Sequence, residues 1–265
     1  GLKMKIAVCM SGQLRQWEIA KENQKWFWET SGVEIDYFIH TWDYSGDREG
    51  VSQPYITRDV SQEEFDKVVD WYKPKKYIFD NKKQDFFYQN DHWSSLFYSL
   101  AQSIKLKREY EIENDFEYDL VIKTRPDVVF DPMYFFSWEP LEHNVLFTTQ
   151  GGIMEHEFYM YNANDMVFYG TSYTMDLMMS MYFYRQKVLD GRELFDRKLF
   201  VGPVGPGVLM QEYFREYGIT AQTIQPNRHT FIETLVKLGC PQDLDLFQHN
   251  DFHKMEKYFR DWYLK

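Results

Sequence analysis

The sequence predicts an α/β protein built on a mostly parallel sheet flanked by helices, and three observations predict it. Short β-branched apolar runs alternate with stretches of helical periodicity through the first half of the 265-residue chain. The central run, Leu120, Val121 and Ile122, is apolar at successive positions, as strands buried on both faces are. Polar clusters follow three of the predicted strands directly, at the position where open α/β sheets bind ligands. The resulting β-α-β-α-β-α-β order requires parallel strands joined by right-handed crossovers.

Taken in order, residues 5–10 (KIAVCM) form the first strand, broken by Ser11 and Gly12. Residues 14–29 follow as a helix, with Leu14, Trp17, Ala20, Gln24 and Phe27 at helical spacing and Gln13 and Arg15 at its first turn. A strand, a Ser-Gly break and a helix together present backbone N–H groups and a positive dipole end to an anion. An arginine opposes that dipole, so Arg15 suits bidentate binding of a diphosphate, or else is simply solvated. Residues 35–41 are the second strand, with His40, Trp42 and Asp43 at its carboxyl end and a polar loop over 44–58. His40 reads either as part of that cluster or as a satisfied core histidine.

Ser61 and Glu64 form a capping box opening a helix to Tyr72, and Pro74 stops it. Residues 76–79 make the third strand and 92–113 a long helix, its inner face marked by Leu96, Leu100, Ile104 and the stem of Lys107. The fourth strand runs into Lys123, Thr124, Arg125, Pro126 and Asp127 before a second apolar run at 128–130. Pro126 lacks an N–H and fixes φ, so the chain bends there and is expected to turn Arg125 and Asp127 out of the core. The alternative is an ordinary surface Arg–Asp pair.

The second half is less regular. Strands are expected at 145–149, 164–172 (running into a turn) and, last, 220–224, with helices at 173–189, 208–217 (closed by Gly218) and 251–263. Met175, Met178 and Met179 read as core packing.

Composition narrows the function. A formal charge of -11 argues against a nucleic-acid groove. The 20 Tyr, 22 Phe and 8 Trp serve mostly the core, with some rings available to stack on a base or sugar. Two cysteines give neither a metal spacing nor a disulfide framework, which fits a reducing cytoplasm. No run has the length of a membrane span or the pattern of a signal segment, and Gly1 to Lys3 ahead of Met4 read as an expression remnant. His249 and His253, at i, i+4, lack a third metal ligand of matching spacing. Glu155-His156-Glu157 reads as an acceptor-side loop with a base or as an exposed loop. There is no G-x-S-x-G elbow, no P-loop and no dinucleotide fingerprint. Convergence of Ser11–Arg15, His40–Asp43 and Lys123–Asp127 on one crevice suits a nucleoside diphosphate.

The motifs SGQLR (from Ser11), FIHTW (from Phe38), YDLVIKTRPD (from Tyr118), NDMVFYGTS (from Asn164) and YGI (from Tyr217) resemble small glycosyltransferase-like proteins of large DNA viruses, phages and bacteria. The resemblance implies a GT-A-like fold in which 4–132 is the nucleotide-sugar half and 133–265 the acceptor-side half. It implies transfer of a sugar from a nucleoside-diphosphate sugar, a UDP-sugar first, to a hydroxyl of a glycan or small acceptor, in the cytoplasm of a host if viral. A non-catalytic carbohydrate- or nucleotide-binding module of the same fold is the alternative. Donor binding falls to Ser11, Gly12, Gln13, Arg15, His40, Trp42, Lys123, Arg125 and Asp127. Where such enzymes carry D-x-D, this chain has Arg125-Pro126-Asp127. Asp127 alone is left to hold Mn²⁺ or Mg²⁺, unless the arginines and Lys123 neutralise the leaving group without a metal. Such relatives often carry Pro-Glu near 205–207, which this chain lacks. Glu155, Glu157, Asp165 and Glu212 are therefore the candidate bases, with Asp127 at the reacting centre.

Overall fold

A computed structural model of the chain describes residues 4–29, 33–47, 56–81, 92–130, 142–150, 163–184, 217–223 and 232–234. In chain order its elements are β1 (Lys5–Ser11), α1 (Trp17–Glu29), β2 (Glu34–Trp42), β3 (Tyr44–Asp47), β4 (Ile56–Asp59), α2 (Gln62–Tyr72), β5 (Lys76–Asp80) and α3 (His92–Asn114). They continue with β6 (Leu120–Thr124), β7 (Val128–Phe130), β8 (Val145–Gln150), β9 (Ala163–Gly170), α4 (Ser172–Met179), a 3-10 turn at Met181–Tyr184, β10 (Thr220–Thr223) and β11 (Ile232–Thr234).

Among the described residues the main sheet runs β10-β8-β9-β6-β1-β2-β5. Pairing is parallel throughout except at β9, which lies antiparallel to both β6 and β8. The expected mixed α/β class with a mostly parallel, helix-flanked sheet is therefore what forms. Strands from both halves of the sequence share that one sheet.

β1 shows why the runs look as they do. Ile6, Val8 and Met10 enter one core with Leu14, Trp17, Phe27 and Trp28 around α1 and Phe65, Val68 and Tyr72 from α2. Ala7 and Cys9 enter the other, with Phe97, Leu100 and Ile104 of α3 and Met175, Met178 and Met179 of α4. Period-2 alternation places successive side chains on opposite faces, and here both faces are covered. The methionines are core packing, as expected.

Several elements differ from the sequence reading. The first helix begins at Trp17, because Gln16 has φ 42° and breaks the helical path before it. Gln13 and Arg15 therefore lie ahead of α1, not in its first turn. The polar loop at 44–58 contains an antiparallel ribbon, Tyr44 pairing with Asp59 and Asp47 with Ile56. The expected 173–189 helix is interrupted at Ser180, where α4 gives way to the 3-10 turn at Met181–Tyr184, and its residues 185–189 lie outside the described residues. β10 is not the last strand, since β11 follows and pairs antiparallel with β7. Lys107 buries its ammonium as well as its stem: Nζ sits 2.8 Å from Glu111 Oε2, 2.7 Å from Asp176 Oδ1 and 2.5 Å from Ser172 Oγ. α2 opens as the capping box predicts, Ser61 Oγ accepting from Glu64 N–H at 3.1 Å, and closes on Lys73 at φ 48°. Gly218 has φ 65°, as a helix-closing glycine does. The remainder of the predicted 208–217 helix, the 251–263 helix and His249 and His253 lie outside the described residues.

Candidate functional site at the carboxyl edge of the sheet

The neighbour order β6-β1-β2 brings the three polar strand ends together. All three strands are parallel, so Thr124, Ser11 and His40 finish at one edge, with Ser11 in register with His40 and Met10 with Thr124. β9 runs the other way. Phe168 sits opposite Lys123, so the earlier β9 residues, Asp165 included, extend beyond the end of β6 at that same edge.

Gly12 joins the clusters. Its φ of 121° suits glycine, and a Cβ placed there would lie 4.0 Å from Arg125 Cγ and Pro126 Cδ. The turn after β1 is thus seated against the turn after β6. Gly12 N–H donates to His40 O at 3.3 Å, and Gly12 O accepts from Thr41 Oγ1 at 2.7 Å. The expectation that this amide faces a phosphate is corrected: it bonds within the sheet.

The Arg125-Pro126-Asp127 turn is built differently from the outward bend expected. Asp127 is 1% exposed. Its Oδ1 accepts from Arg125 Nε at 2.9 Å and its Oδ2 from Nη2 at 2.6 Å, the fork geometry of a bidentate pair. The Arg125 side chain is 19% exposed. One edge of Arg125 is held from below by a buried carboxylate, and the group stands at the rim. The turn is fastened from α1 as well, where buried Gln24 donates through Nε2 to the carbonyls of Arg125 (2.5 Å) and Val128 (2.8 Å). Both Asp127 oxygens are bonded to Arg125, and no group of three or more His, Cys, Asp or Glu able to hold a metal occurs among the described residues.

Gln13 and Arg15 follow Gly12 on the same loop, both half-buried. Gln13 Oε1 accepts from Arg15 Nε at 3.0 Å and from Gly46 N–H at 2.9 Å, tying the post-β1 loop to the β3–β4 ribbon. A second arginine, Arg58, fastens the ribbon's other strand. It meets Glu64 with Nη1 at 2.8 Å and Nη2 at 3.0 Å, and donates through Nη2 to Leu14 O at 3.1 Å. Glu64 also accepts from Trp17 Nε1 at 3.2 Å. The capping-box glutamate thus serves the loop, a role the motif alone does not reveal.

Three members of the expected donor-binding set are core residues. Lys123 is fully buried, its Nζ 5.6 Å from the Phe168 ring centre. Trp42 is 2% exposed and packs edge-on against His40. His40 is fully buried, with Nδ1 2.7 Å from Ser99 Oγ and Nε2 3.4 Å from Asp80 Oδ2, which settles it as a satisfied core histidine. What His40 and Trp42 support at the surface is Asp80, whose side chain is 31% exposed, and Tyr98, whose Oη donates to Asp80 Oδ2 at 3.1 Å. The sequence reading missed both; the one available signal was an acid closing a strand ahead of a loop. Hydrogen bonds from His40 first, then Tyr98, hold the Asp80 carboxyl below its usual range. Burial, with the Asp80 charge beside it, pushes the Tyr98 phenol up to about 12. Glu155, Glu157 and Glu212 lie outside the described residues.

No protein-family model and no curated protein sequence matches the chain. Among solved structures it is similar to the crystal structure of a glycosyltransferase involved in the glycosylation of the major capsid of PBCV-1. The two are 10% identical, the match covers 84% of this chain and 83% of that one, and the TM-score is 0.35. A likeness of that depth says nothing of this chain's chemistry, which has to come from the geometry. Among the described residues no helix is long and apolar enough to cross a membrane.

Proposed function

We propose that the protein is a glycosyltransferase that moves a sugar from a nucleoside-diphosphate sugar to a hydroxyl of a glycan or small acceptor. The observation that carries this reading is the Arg125 guanidinium, clamped along one edge by buried Asp127 and presented at the rim where three strand ends meet. Breaking the glycosidic bond to a diphosphate leaves negative charge on the departing oxygens, and fixed cations aimed at that charge lower the barrier. Arg125 and Arg15 fill that role, with the Gly12 turn allowing close approach. In this reading Asp127 is a positioning residue for Arg125 and leaving-group stabilisation proceeds through arginine. Asp165, Glu155, Glu157 and Glu212 remain the candidate bases, Asp165 being the one whose strand starts at this edge.

The test is thermal stability against UDP-, GDP-, dTDP- and CMP-sugars, each with and without Mn²⁺, followed by transfer assays with the donor that binds. A donor at a hundred times its dissociation constant stabilises the native state by about 2.7 kcal/mol, which for a chain of this length is a shift of roughly 5–10 °C. A shift with one nucleotide family, unaltered by chelation, is the expected result. No shift with any donor defeats the reading.

One observation favours the non-catalytic alternative: the aspartate standing where relatives carry D-x-D is wholly engaged by Arg125. A protein that binds donor but turns over neither donor nor acceptor is that module.

A further inference from the structure

At the carboxyl ends of β2 and β5 stands a carboxylate to which the leaving-group chemistry gives no task. Asp80 closes β5 in register with Trp42, the last residue of β2. It is oriented from inside: His40 Nε2 lies 3.4 Å from Oδ2, Tyr98 Oη donates to the same oxygen at 3.1 Å, and the Asn81 backbone N–H adds a further bond. With the His40 proton on Nε2, toward Asp80, Nδ1 accepts from Ser99 Oγ at 2.7 Å, so the ring's orientation is fixed at both nitrogens. The Trp42 and Tyr98 rings lie side by side, centroids 5.4 Å apart and 33° from parallel, behind the carboxylate. Despite these bonds the Asp80 side chain remains 31% exposed.

Such a group is a hydrogen-bond acceptor by construction. A general base works best with a pKa near the working pH, whereas the donors around Asp80 move its carboxyl the other way. Its place relative to the arginines follows from the strand order. β5, β2, β1 and β6 are successive neighbours, so a spacing of about 4.8 Å sets the Asp80 strand roughly 14 Å from the strand that leads into Arg125. A diphosphate held at β1 and β6 with its nucleoside directed toward β2 would place that nucleoside over β2 and β5.

Resting on the nucleotide-sugar reading, we infer that Asp80 is a recognition residue for the nucleoside, accepting a hydrogen bond from a ribose hydroxyl or from a base N–H. The experiment titrates the wild type and Asp80→Asn with UDP, GDP and CDP, with the 2′-deoxy form of whichever binds, and with inorganic pyrophosphate. Losing a hydrogen bond to a charged acceptor is expected to weaken the ribonucleotide by about 10- to 100-fold while pyrophosphate binding holds. If the ribose is the donor, the wild type discriminates against the deoxy form and Asp80→Asn does not. If the base is the donor, the wild type binds both forms alike and the variant weakens both equally. Tyr98→Phe, which keeps the ring and removes one bond to Asp80, is expected to give a smaller loss of the same kind. Ribonucleotide affinity within twofold of wild type in both variants overturns this inference and leaves the glycosyltransferase reading standing. Failure of the wild type to bind any of the three diphosphates overturns this inference, and failure to bind dTDP- and CMP-sugars as well overturns both.

Discussion

Replacing Asp127 by Asn keeps its volume and removes its charge, leaving Arg125 with a neutral amide in place of a two-pronged carboxylate. Breaking a buried ion pair costs about 3–5 kcal/mol. Because the Arg125 side chain is partly exposed and the amide oxygen still accepts one bond, the expected loss is about 2–3 kcal/mol. The converse change, Arg125→Met, is worse. It strips both bonding partners from a carboxylate that is 1% exposed, and the loss is expected at the top of that range, about 4–5 kcal/mol. The double variant, with neither charge left, is expected to lose only about 1–2 kcal/mol, giving a coupling near 5 kcal/mol. Thermal unfolding reads these values at roughly 2–4 °C per kcal/mol. The diphosphate affinity of each variant is measured alongside, and Asp127→Asn is expected to weaken it by releasing Arg125. The reasoning is refuted if Asp127→Asn lies within 0.5 kcal/mol of wild type, or if Arg125→Met is the milder of the two.

Lys107→Met leaves Glu111, Asp176 and Ser172 facing each other without their shared cation, and a loss of about 3–5 kcal/mol is expected in thermal unfolding; a loss under 1 kcal/mol counts against a clamp between α3 and α4. Gln24→Leu removes the donor to the Arg125 and Val128 carbonyls, with an expected cost of about 2 kcal/mol and weaker diphosphate binding, checked by unfolding and titration; unchanged binding means that the turn holds itself. The Asp80 carboxyl is depressed in the folded state by His40 and Tyr98. Its contribution is therefore fully present above the unfolded carboxylate value near ~3.9 and fades as pH falls through the lower folded value. The stability gap between wild type and Asp80→Asn is expected to be flat from pH 5 to 7 and to narrow below about pH 4 in an unfolding series; a gap that widens on acidification reverses the sign.

β1 and β6 were legible because both faces of each are covered, so their centres are continuous apolar runs. The β3–β4 ribbon was not. YSGD and ITRD carry no apolar alternation, and the ribbon is held by contacts from elsewhere, Gln13 to Gly46 and Arg58 to Glu64. The bend at Pro126 was readable from its chemistry, but its direction was not. Burial of Asp127 depends on a guanidinium two residues earlier folding back to meet it. Arg125 and Arg15 stood out as candidate site residues because each is a cation beside a strand end. Asp80 and Tyr98 acquire meaning only when β5 lies beside β2 and α3 crosses both. Lys107 shows the same limit: two of its partners lie more than sixty residues away, on α4.

The pairing of β7 with β11 bears on how the protein is made. β7 begins at the residue after Asp127, and its partner lies roughly a hundred residues further on, Phe130 opposite Ile232. A ribosome adding about 5–20 residues per second needs five seconds or more to supply that partner. Through that interval β1, β2, β5 and β6 can already pair, while the strand leaving the arginine turn waits with an unsatisfied edge. On the proposed reading, ligand-binding competence is then acquired late in synthesis, after the first-half strands have paired. A release series of ribosome-bound chains is expected to show protease protection of the first-half strands before nucleotide binding appears.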